Sequence, residues 1–294
     1  MRSSNPVFSR RGFSRGEGYA GFGGQPQAQG APQAGGNPYA GTNPYAGTNP
    51  YAGTTNPYDT TYQAPPAAAV QTGRMTMDDV VMRTAMTLGT VVLGALVAWF
   101  VLPVSEKSYG LAIGASLVAL VLGLIQSFKR EASPALILGY AVFEGVFLGV
   151  WSKILNFMWP GIPLQAVLGT MAVFVGMLVA YRTRLIRVTA RYTRIGMAIA
   201  IGFVILMFVN LIAALIGGGD GLGLRSGALG IVVGVIGIAL GAFFLSLDFK
   251  QIEDGIQYGA PRQESWLAAF GLTLSLVWIY LEMLRLIAIL RGDD

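Results

Sequence analysis

Seven long stretches of uncharged, mostly apolar residues constrain the fold of this chain more than any other feature of its sequence. They cover residues 84–104, 108–128, 132–143, 154–181, 195–219, 226–247 and 265–281. A helix that crosses ~30 Å of hydrocarbon needs about 20 apolar residues. The third stretch reaches that length if its helix continues past Glu144 to Ser152. The pattern therefore predicts an all-α integral membrane protein, built as a seven-transmembrane helix bundle.

The balance of apolar and charged residues favours the same fold class. Apolar residues make up 53% of the 294 residues, whereas charged residues make up only 12%. A soluble domain of ordinary composition carries about twice that share of charge.

The first 74 residues form a segment of a different kind, rich in Gly, Pro, Ala, Asn and Tyr. The sequence NPYAGT occurs three times in tandem, beginning at residues 37, 43 and 49. A proline in every copy prevents long helices, and the segment has too few apolar residues to build a core. We predict a disordered cytoplasmic tail over 1–74 and a transmembrane domain over 75–294. The alternative is that the Tyr/Pro repeats are a multivalent ligand for a protein partner.

The sequence TMDD, from Thr76 to Asp79, comes directly before the first apolar stretch. It has the spacing of a capping box, in which a hydroxyl side chain accepts a hydrogen bond at the beginning of a helix. The first helix is therefore predicted to begin there.

The distribution of positive charge predicts the orientation of the bundle. Short loops rich in Lys and Arg remain on the cytoplasmic side of a membrane. With a cytoplasmic N-terminus, 15 of the 20 Lys and Arg residues fall on cytoplasmic segments. The outer segments then hold only Lys107, Arg225 and Arg291, and Lys153 and Arg285 lie near or within the outer ends of their helices. The basic run RTRLIRVTARYTR, residues 182–194, is predicted to be a cytoplasmic anchor beside anionic lipid headgroups rather than a nucleic-acid site.

The absence of two residue types narrows the chemistry. The chain contains no cysteine and no histidine. Thiolate nucleophiles, Ser–His dyads, and zinc or haem sites with Cys or His ligands all need residues that this chain lacks. We therefore expect neither an enzyme nor a protein with a resident cofactor, and proton chemistry would have to use carboxylates, Lys, Arg or Tyr.

Four ionisable residues lie in or beside the apolar stretches and are the candidate functional residues. Glu144 is near the middle of the third span, Asp248 is where the sixth span ends, and Glu282 and Arg285 are in the seventh. An ionisable residue at the centre of a bilayer costs ~2.5–3.5 kcal/mol on insertion scales, so such residues usually mark an ion or proton path. Two structural alternatives stay open. Asp248 could be a solvated helix end, and Glu282 could be an ion-pair partner of Arg285, three residues further along the same helix.

The sixth span also carries two pairs of small residues, Gly230 with Gly234 and Gly237 with Gly241. Such pairs let two helix backbones approach closely. We therefore expect the sixth span to be pressed against a neighbouring helix.

The sequences LDFKQIEDG after the sixth span and WIYLEMLRLIAIL in the seventh resemble those of the Bax inhibitor motif family. The sequences SNPVF at 4–8 and MTMDDVV at 75–81 are similar to a branch with a long N-terminal tail that is common in actinobacteria. The resemblance covers about residues 75–294 together with the short N-terminal stretch. It implies a multi-pass protein of the bacterial inner membrane.

The same resemblance implies a pH-sensitive calcium leak. The resemblance implies two acidic residues at the cytoplasmic side of a pore, one on the sixth helix and one on the seventh, which are aspartates in the family. Carried over to this chain, they are Asp248 and Glu282, where a glutamate stands in YLE in place of the usual aspartate. The two carboxylates would then sense pH and contact calcium. The rise of a helix leaves them ~15–18 Å apart unless the helices tilt, and Glu144 is then the alternative neighbour of Glu282.

Two functions of different classes follow from these observations. The first is a pH-sensitive calcium or cation leak gated by Asp248, Glu282 and Glu144, with calcium as the permeant ion and the lipid bilayer as the surroundings. The second is a non-conducting membrane stress regulator that binds partner proteins through its tail and its basic loop.

Overall fold

The structure, a computed structural model, describes residues 73–217, 219 and 221–292. Seven α-helices of 21–31 residues make up most of this part of the chain. They are α1 (Met77–Val101), α2 (Glu106–Phe128), α3 (Pro134–Met158), α4 (Ile162–Arg182), α5 (Ala190–Gly217), α6 (Gly227–Gln257) and α7 (Glu264–Gly292). Each is long and apolar enough to cross a membrane. The prediction of a seven-helix membrane protein is confirmed. The predicted disordered tail lies outside the described residues, except for its last two positions, and the domain boundary at 74/75 stays a prediction.

Local capping signals explain where several helices begin. The Thr76 side chain accepts a hydrogen bond from the Asp79 backbone N–H at 3.2 Å, which confirms the predicted start of α1. Ser105 caps α2 in the same way, accepting from the Ser108 N–H at 3.3 Å. Before α4, Gly161 adopts a φ of 90°, which glycine tolerates without strain, and the helix then begins with a proline in its first turn.

The most buried helices are α3, α6 and α7. The last helix, α7, packs against α6, α1 and α4, whereas α3 packs mainly against α1 and α2. The fifth helix packs mainly against α6 and lies at the periphery. Helices α1, α3 and α7 run in the same direction, since successive residues of each contact successive residues of the others.

Glycines allow two particularly close helix contacts. An added Cβ at Gly149 of α3 would come within 2.2 Å of the Ala95 carbonyl oxygen of α1. At Gly145, an added Cβ would come within 2.4 Å of the Val91 carbonyl oxygen, also on α1. The sixth span is α6, and the neighbouring helix against which we expect it to press is α7. An added Cβ at Gly241 of α6 would come within 2.4 Å of Ile279 of α7.

The outer faces of the helices expose large apolar side chains, as is expected of a surface in contact with lipid. Leu93 and Phe100 of α1 are 65% and 78% exposed, and Leu117 of α2 is 57% exposed. Such side chains would be unfavourable in water over so large an area, which supports contact with a lipid bilayer.

The two ends of the bundle differ in charge. The helices α1, α3 and α7 all begin at one end of the bundle, and we name it the basic end. At this end α4 ends and α5 begins, and both do so within the arginine-rich run 182–194. The opposite end holds the α1–α2, α3–α4 and α5–α6 connections. Near it, Lys153 of α3 donates hydrogen bonds to the carbonyl oxygens of Trp99 (2.6 Å) and Leu102 (2.5 Å), which are the free acceptors at the C-terminus of α1.

Candidate functional site in the membrane helices

Asp248 of α6 lies directly against α7 on the basic side of the bundle. The Ser275 hydroxyl donates a hydrogen bond to Asp248 Oδ2 at 2.6 Å. An added Cβ at Gly271 would come within 2.8 Å of Asp248 Oδ1, so the carboxylate occupies the space that this glycine leaves open. Among the described residues, no Lys or Arg forms an ion pair with Asp248. The carboxylate is partly buried against a neighbouring helix and is not a free, solvated helix end.

Glu144 of α3 is 8% exposed and points into the bundle. It lies on the same face of α3 as Ala141 and Leu148, and those two residues belong to one buried hydrophobic cluster with Val91 of α1 and Val277 of α7. No hydrogen bond or ion pair joins Glu144 to any described residue. It is a buried carboxyl group that has no charged partner in the part of the chain that the structure describes.

Glu144 and Asp248 lie at the same depth of the bundle when each is placed against the residues of α7 that its helix contacts. Tyr140 packs edge-on against Phe270 with ring centroids 5.3 Å apart, and Ser152 shares a hydrogen bond of 2.8 Å with Tyr280. Since α3 and α7 run in parallel, interpolation between these contacts puts Glu144 level with about the third residue after Phe270, which is Thr273. This is also the level of Asp248, which lies between Gly271 and Ser275 of α7.

Buried hydroxyl groups lie at the same depth of the bundle as Glu144 and Asp248. Thr87 of α1 and Thr273 of α7 are fully buried, and their hydroxyl oxygens are 3.0 Å apart. We call the set of Thr87, Glu144, Asp248, Thr273 and Ser275 the polar layer. It brings polar groups from α1, α3, α6 and α7 to one depth of an otherwise apolar bundle.

Glu282 lies closer to the opposite end and has a charged partner. Arg285 Nη2 donates a hydrogen bond to Glu282 Oε2, so the two form an ion pair within α7. An added Cβ at Gly237 would come within 2.8 Å of Glu282 Oε2, and one at Gly234 within 3.6 Å of Arg285 Nη2. The small residues of α6 therefore accommodate the ion pair. The side chains of Glu282 and Arg285 are 11% and 14% exposed.

The guanidinium group of Arg285 is incompletely satisfied. Its Nε and Nη1 atoms are buried and have no hydrogen-bond partner among the described residues. Arg225, just before α6 begins, is a further positive charge near this pair. A buried donor without a partner costs free energy, so this guanidinium retains donors for another acceptor.

Asp248 and Glu282 are not in contact. Antiparallel packing puts Asp248 between Gly271 and Ser275 and puts Gly237 opposite Glu282, so the carboxylates are two to three turns apart, or about 14 Å along α7. Calcium binds oxygen ligands at about 2.3–2.6 Å. One calcium ion therefore cannot contact both residues in this arrangement. Of the predicted pairs, the structure forms Glu282 with Arg285, and it places Glu144 level with Asp248 rather than beside Glu282.

Sequence reasoning overlooked the hydroxyl residues of the polar layer and the close packing of α3 on α1. Thr87, Thr273 and Ser275 are uncharged, so they do not interrupt an apolar stretch. Gly145 and Gly149 of α3 are four residues apart, like the small-residue pairs of the sixth span. This pattern could have predicted that α3 packs closely against another helix, which is α1.

Comparison with known proteins agrees with this architecture. A family model described as Bax inhibitor 1 like matches residues 5–292, which is nearly the whole chain. No curated protein matches the chain. The match includes the sequences on α6 and α7 that carry Asp248 and Glu282, and the helices found here are those of a multi-pass membrane protein. The chain belongs to the Bax inhibitor 1 like family.

Proposed function

We propose that this protein is a pH-sensitive leak for cations, calcium among them, and that its gate is built from carboxyl groups within the membrane. One observation carries the proposal. Asp248 and Glu144 lie at the same level of an apolar bundle, and neither has a positively charged partner among the described residues.

A carboxylate in such surroundings is stable only under certain conditions. Ionised and unpaired, it costs several kcal/mol in an apolar medium. It becomes acceptable when it carries a proton, contacts water or contacts a cation. Glu144 and Asp248 therefore make the state of the polar layer dependent on protons and cations.

The two protonation states differ in what they do to an ion. With both groups protonated, the layer is neutral and does not attract a cation. With the protons lost, two unpaired negative charges lie at one depth of the bundle and attract a cation. Carboxylate and hydroxyl oxygens are the kind of ligand that calcium prefers.

Glu282 and Arg285 act at a second level in this proposal. Their ion pair is packed against Gly234 and Gly237 and neutralises Glu282. A cation that passes this level must replace Arg285 as the partner of Glu282. The pair therefore closes the path on the side of the opposite end.

We further propose that the protein is not an enzyme and has no resident cofactor, because the chain lacks the usual nucleophile and metal-ligand residue types. We place it in the bacterial inner membrane with its basic end in the cytoplasm and its C-terminus outside. The charge difference between the two ends supports this orientation.

Calcium flux into liposomes tests the proposal. Purified full-length protein should admit calcium to vesicles that contain a calcium-sensitive dye, at a rate that depends on pH. Empty vesicles, and vesicles with the heat-denatured protein, are the controls. A correctly folded protein that admits no calcium or other cation at any pH would favour the non-conducting regulator instead.

A further inference from the structure

A cavity of about 950 Å³ lies at the basic end among α1, α4 and α6. Helices α1 and α4 form two of its walls, and their described backbones do not come close to each other. The α4–α5 connection borders the cavity at the basic end, and Phe249 of α6 and Leu272 of α7 also line it. The cavity is therefore a gap between helices in the part of the bundle nearest the basic end.

The walls of this cavity are apolar and partly exposed. Met77, Val81 and Leu88 line it from α1, at a spacing that puts them on one face of the helix and spans about 16 Å. Leu178 lines it from α4, and its side chain is 40% exposed. An empty gap of this kind would lose the van der Waals contacts of its lining, so hydrocarbon is the natural filling in a membrane.

The rim of the cavity carries positive charge that the described part of the protein does not neutralise. Arg182, Arg184 and Arg187 line it and are exposed. None of their side chains makes a hydrogen bond or an ion pair with a described residue. They remain available for a negatively charged ligand.

The acidic residues beside the rim already have partners. Lys250 pairs with Asp254 at 2.6 Å, and the Tyr181 hydroxyl donates a hydrogen bond to Glu253. Glu253 lines the cavity as well, and neither carboxylate makes an ion pair with one of the three arginines.

Arg184 adopts a backbone conformation that is unfavourable for any residue with a Cβ atom. Its φ is 60°, in the left-handed region, just after the C-cap of α4. Glycine adopts this conformation readily and is the usual residue at this place in a helix end. The chain nevertheless has an arginine here, with its side chain at the rim of the cavity.

We propose that this cavity binds an anionic phospholipid, with the phosphate group on Arg182, Arg184 and Arg187 and an acyl chain between α1 and α4. Basic groups at the rim and apolar walls below them match the order of headgroup and acyl chain in a phospholipid. Guanidinium groups bind phosphate oxygens with two parallel hydrogen bonds. An acidic peptide or a free phosphate would use the rim and leave the apolar walls uncovered.

Lipid titration of the full-length protein in detergent tests this proposal. Native mass spectrometry would measure the binding of phosphatidylglycerol and of phosphatidylcholine with the same acyl chains. We expect one phosphatidylglycerol to bind saturably and phosphatidylcholine to bind at least tenfold more weakly. Replacing Arg184→Gln and Arg187→Gln together should weaken phosphatidylglycerol binding about thirtyfold, because one basic residue near an anionic membrane surface contributes a factor of roughly five.

A second pair of arginines provides the matched control. Arg191 and Arg194 at the beginning of α5 are exposed and do not line the cavity. Arg191→Gln with Arg194→Gln removes the same charge and should change the affinity by less than about threefold, since their contribution is only to the general surface potential. Equal weakening by both double variants would overturn the site, as would equal binding of the two lipids.

Two further measurements distinguish a bound lipid from a bound phosphate group and test the Arg184 side chain by itself. Glycerophosphoglycerol, the headgroup without acyl chains, should bind at least a hundredfold more weakly than phosphatidylglycerol, and comparable binding would show a phosphate site instead. Arg184→Gly relieves the left-handed backbone, so this variant should melt no lower than the unchanged protein without lipid. It should still bind phosphatidylglycerol more weakly. Unchanged lipid affinity in this variant would contradict a role for the Arg184 guanidinium.

Discussion

Ser275 of α7 donates a hydrogen bond to Asp248 of α6 at 2.6 Å, and this contact joins the two helices at the polar layer. The two helices come together there because Gly271 leaves room for the carboxylate. The hydroxyl group also fixes the direction in which the carboxylate points. Asp248 therefore belongs to the interior contact between α6 and α7.

Removing this hydroxyl group should weaken the contact between α6 and α7. Ser275→Ala leaves Asp248 without its hydrogen-bond donor, and a hydrogen bond to a charged group contributes about 1.5–3 kcal/mol. We expect a lower melting temperature in detergent. Ser116→Ala is the control, because the Ser116 hydroxyl is exposed and bonds only to the Ile113 carbonyl of its own helix. Equal melting of the two variants would mean that the Asp248 contact contributes nothing.

The ion pair of Glu282 and Arg285 should be strongly coupled. Arg285→Ala leaves a buried carboxylate unpaired, and breaking a buried pair in this way costs about 3–5 kcal/mol. Replacing both residues, with Glu282→Gln and Arg285→Met, should recover much of the loss because neither charge is then left alone. A double-mutant cycle on melting temperatures measures this coupling. Additive effects would show that the two side chains act independently.

The contact between α3 and α1 should not tolerate a single added methyl group. In Gly149→Ala, the new Cβ would meet the Ala95 backbone at 2.2 Å, so one of the helices has to move. We expect a loss of about 2 kcal/mol or more, as for other overpacked sites. At Gly114 of α2, nothing lies within 4 Å of an added Cβ. Gly114→Ala should therefore be neutral or stabilising by up to about 1 kcal/mol, and a similar loss in both variants would contradict the close contact.

Cysteine labelling tests the proposed orientation, since the chain has no cysteine of its own. Thr189→Cys at the basic end should react with a membrane-impermeant reagent only from the cytoplasm, and Leu222→Cys only from outside. Leu222 is 55% exposed and suits this purpose. Gly221 does not, because an added Cβ would lie 2.4 Å from the Asn210 carbonyl oxygen. Labelling of Leu222→Cys from the cytoplasm alone would refute the orientation.

Features that depend on local sequence were predictable, and those that depend on helix register were not. Seven charge-free stretches indicated seven helices, and the cap at Thr76 and the spacing of Glu282 and Arg285 were visible within a few residues. The depth of Asp248 relative to Glu282 depends on how α6 and α7 slide against each other. That register follows from close packing at glycines such as Gly237, and no local pattern along one helix reports it.

The pH dependence of calcium flux through Asp248→Asn protein tests the carboxylate gate most directly. The amide is nearly the same shape as the protonated carboxyl group and cannot ionise. In liposomes, flux through this variant should depend on pH much less than flux through the unchanged protein, because only Glu144 of the polar layer can still ionise. Asp78→Asn makes the same replacement at an exposed position in the first turn of α1 and should keep the full pH response. A folded Asp248→Asn protein that keeps the pH response of the unchanged protein would contradict the proposed gate.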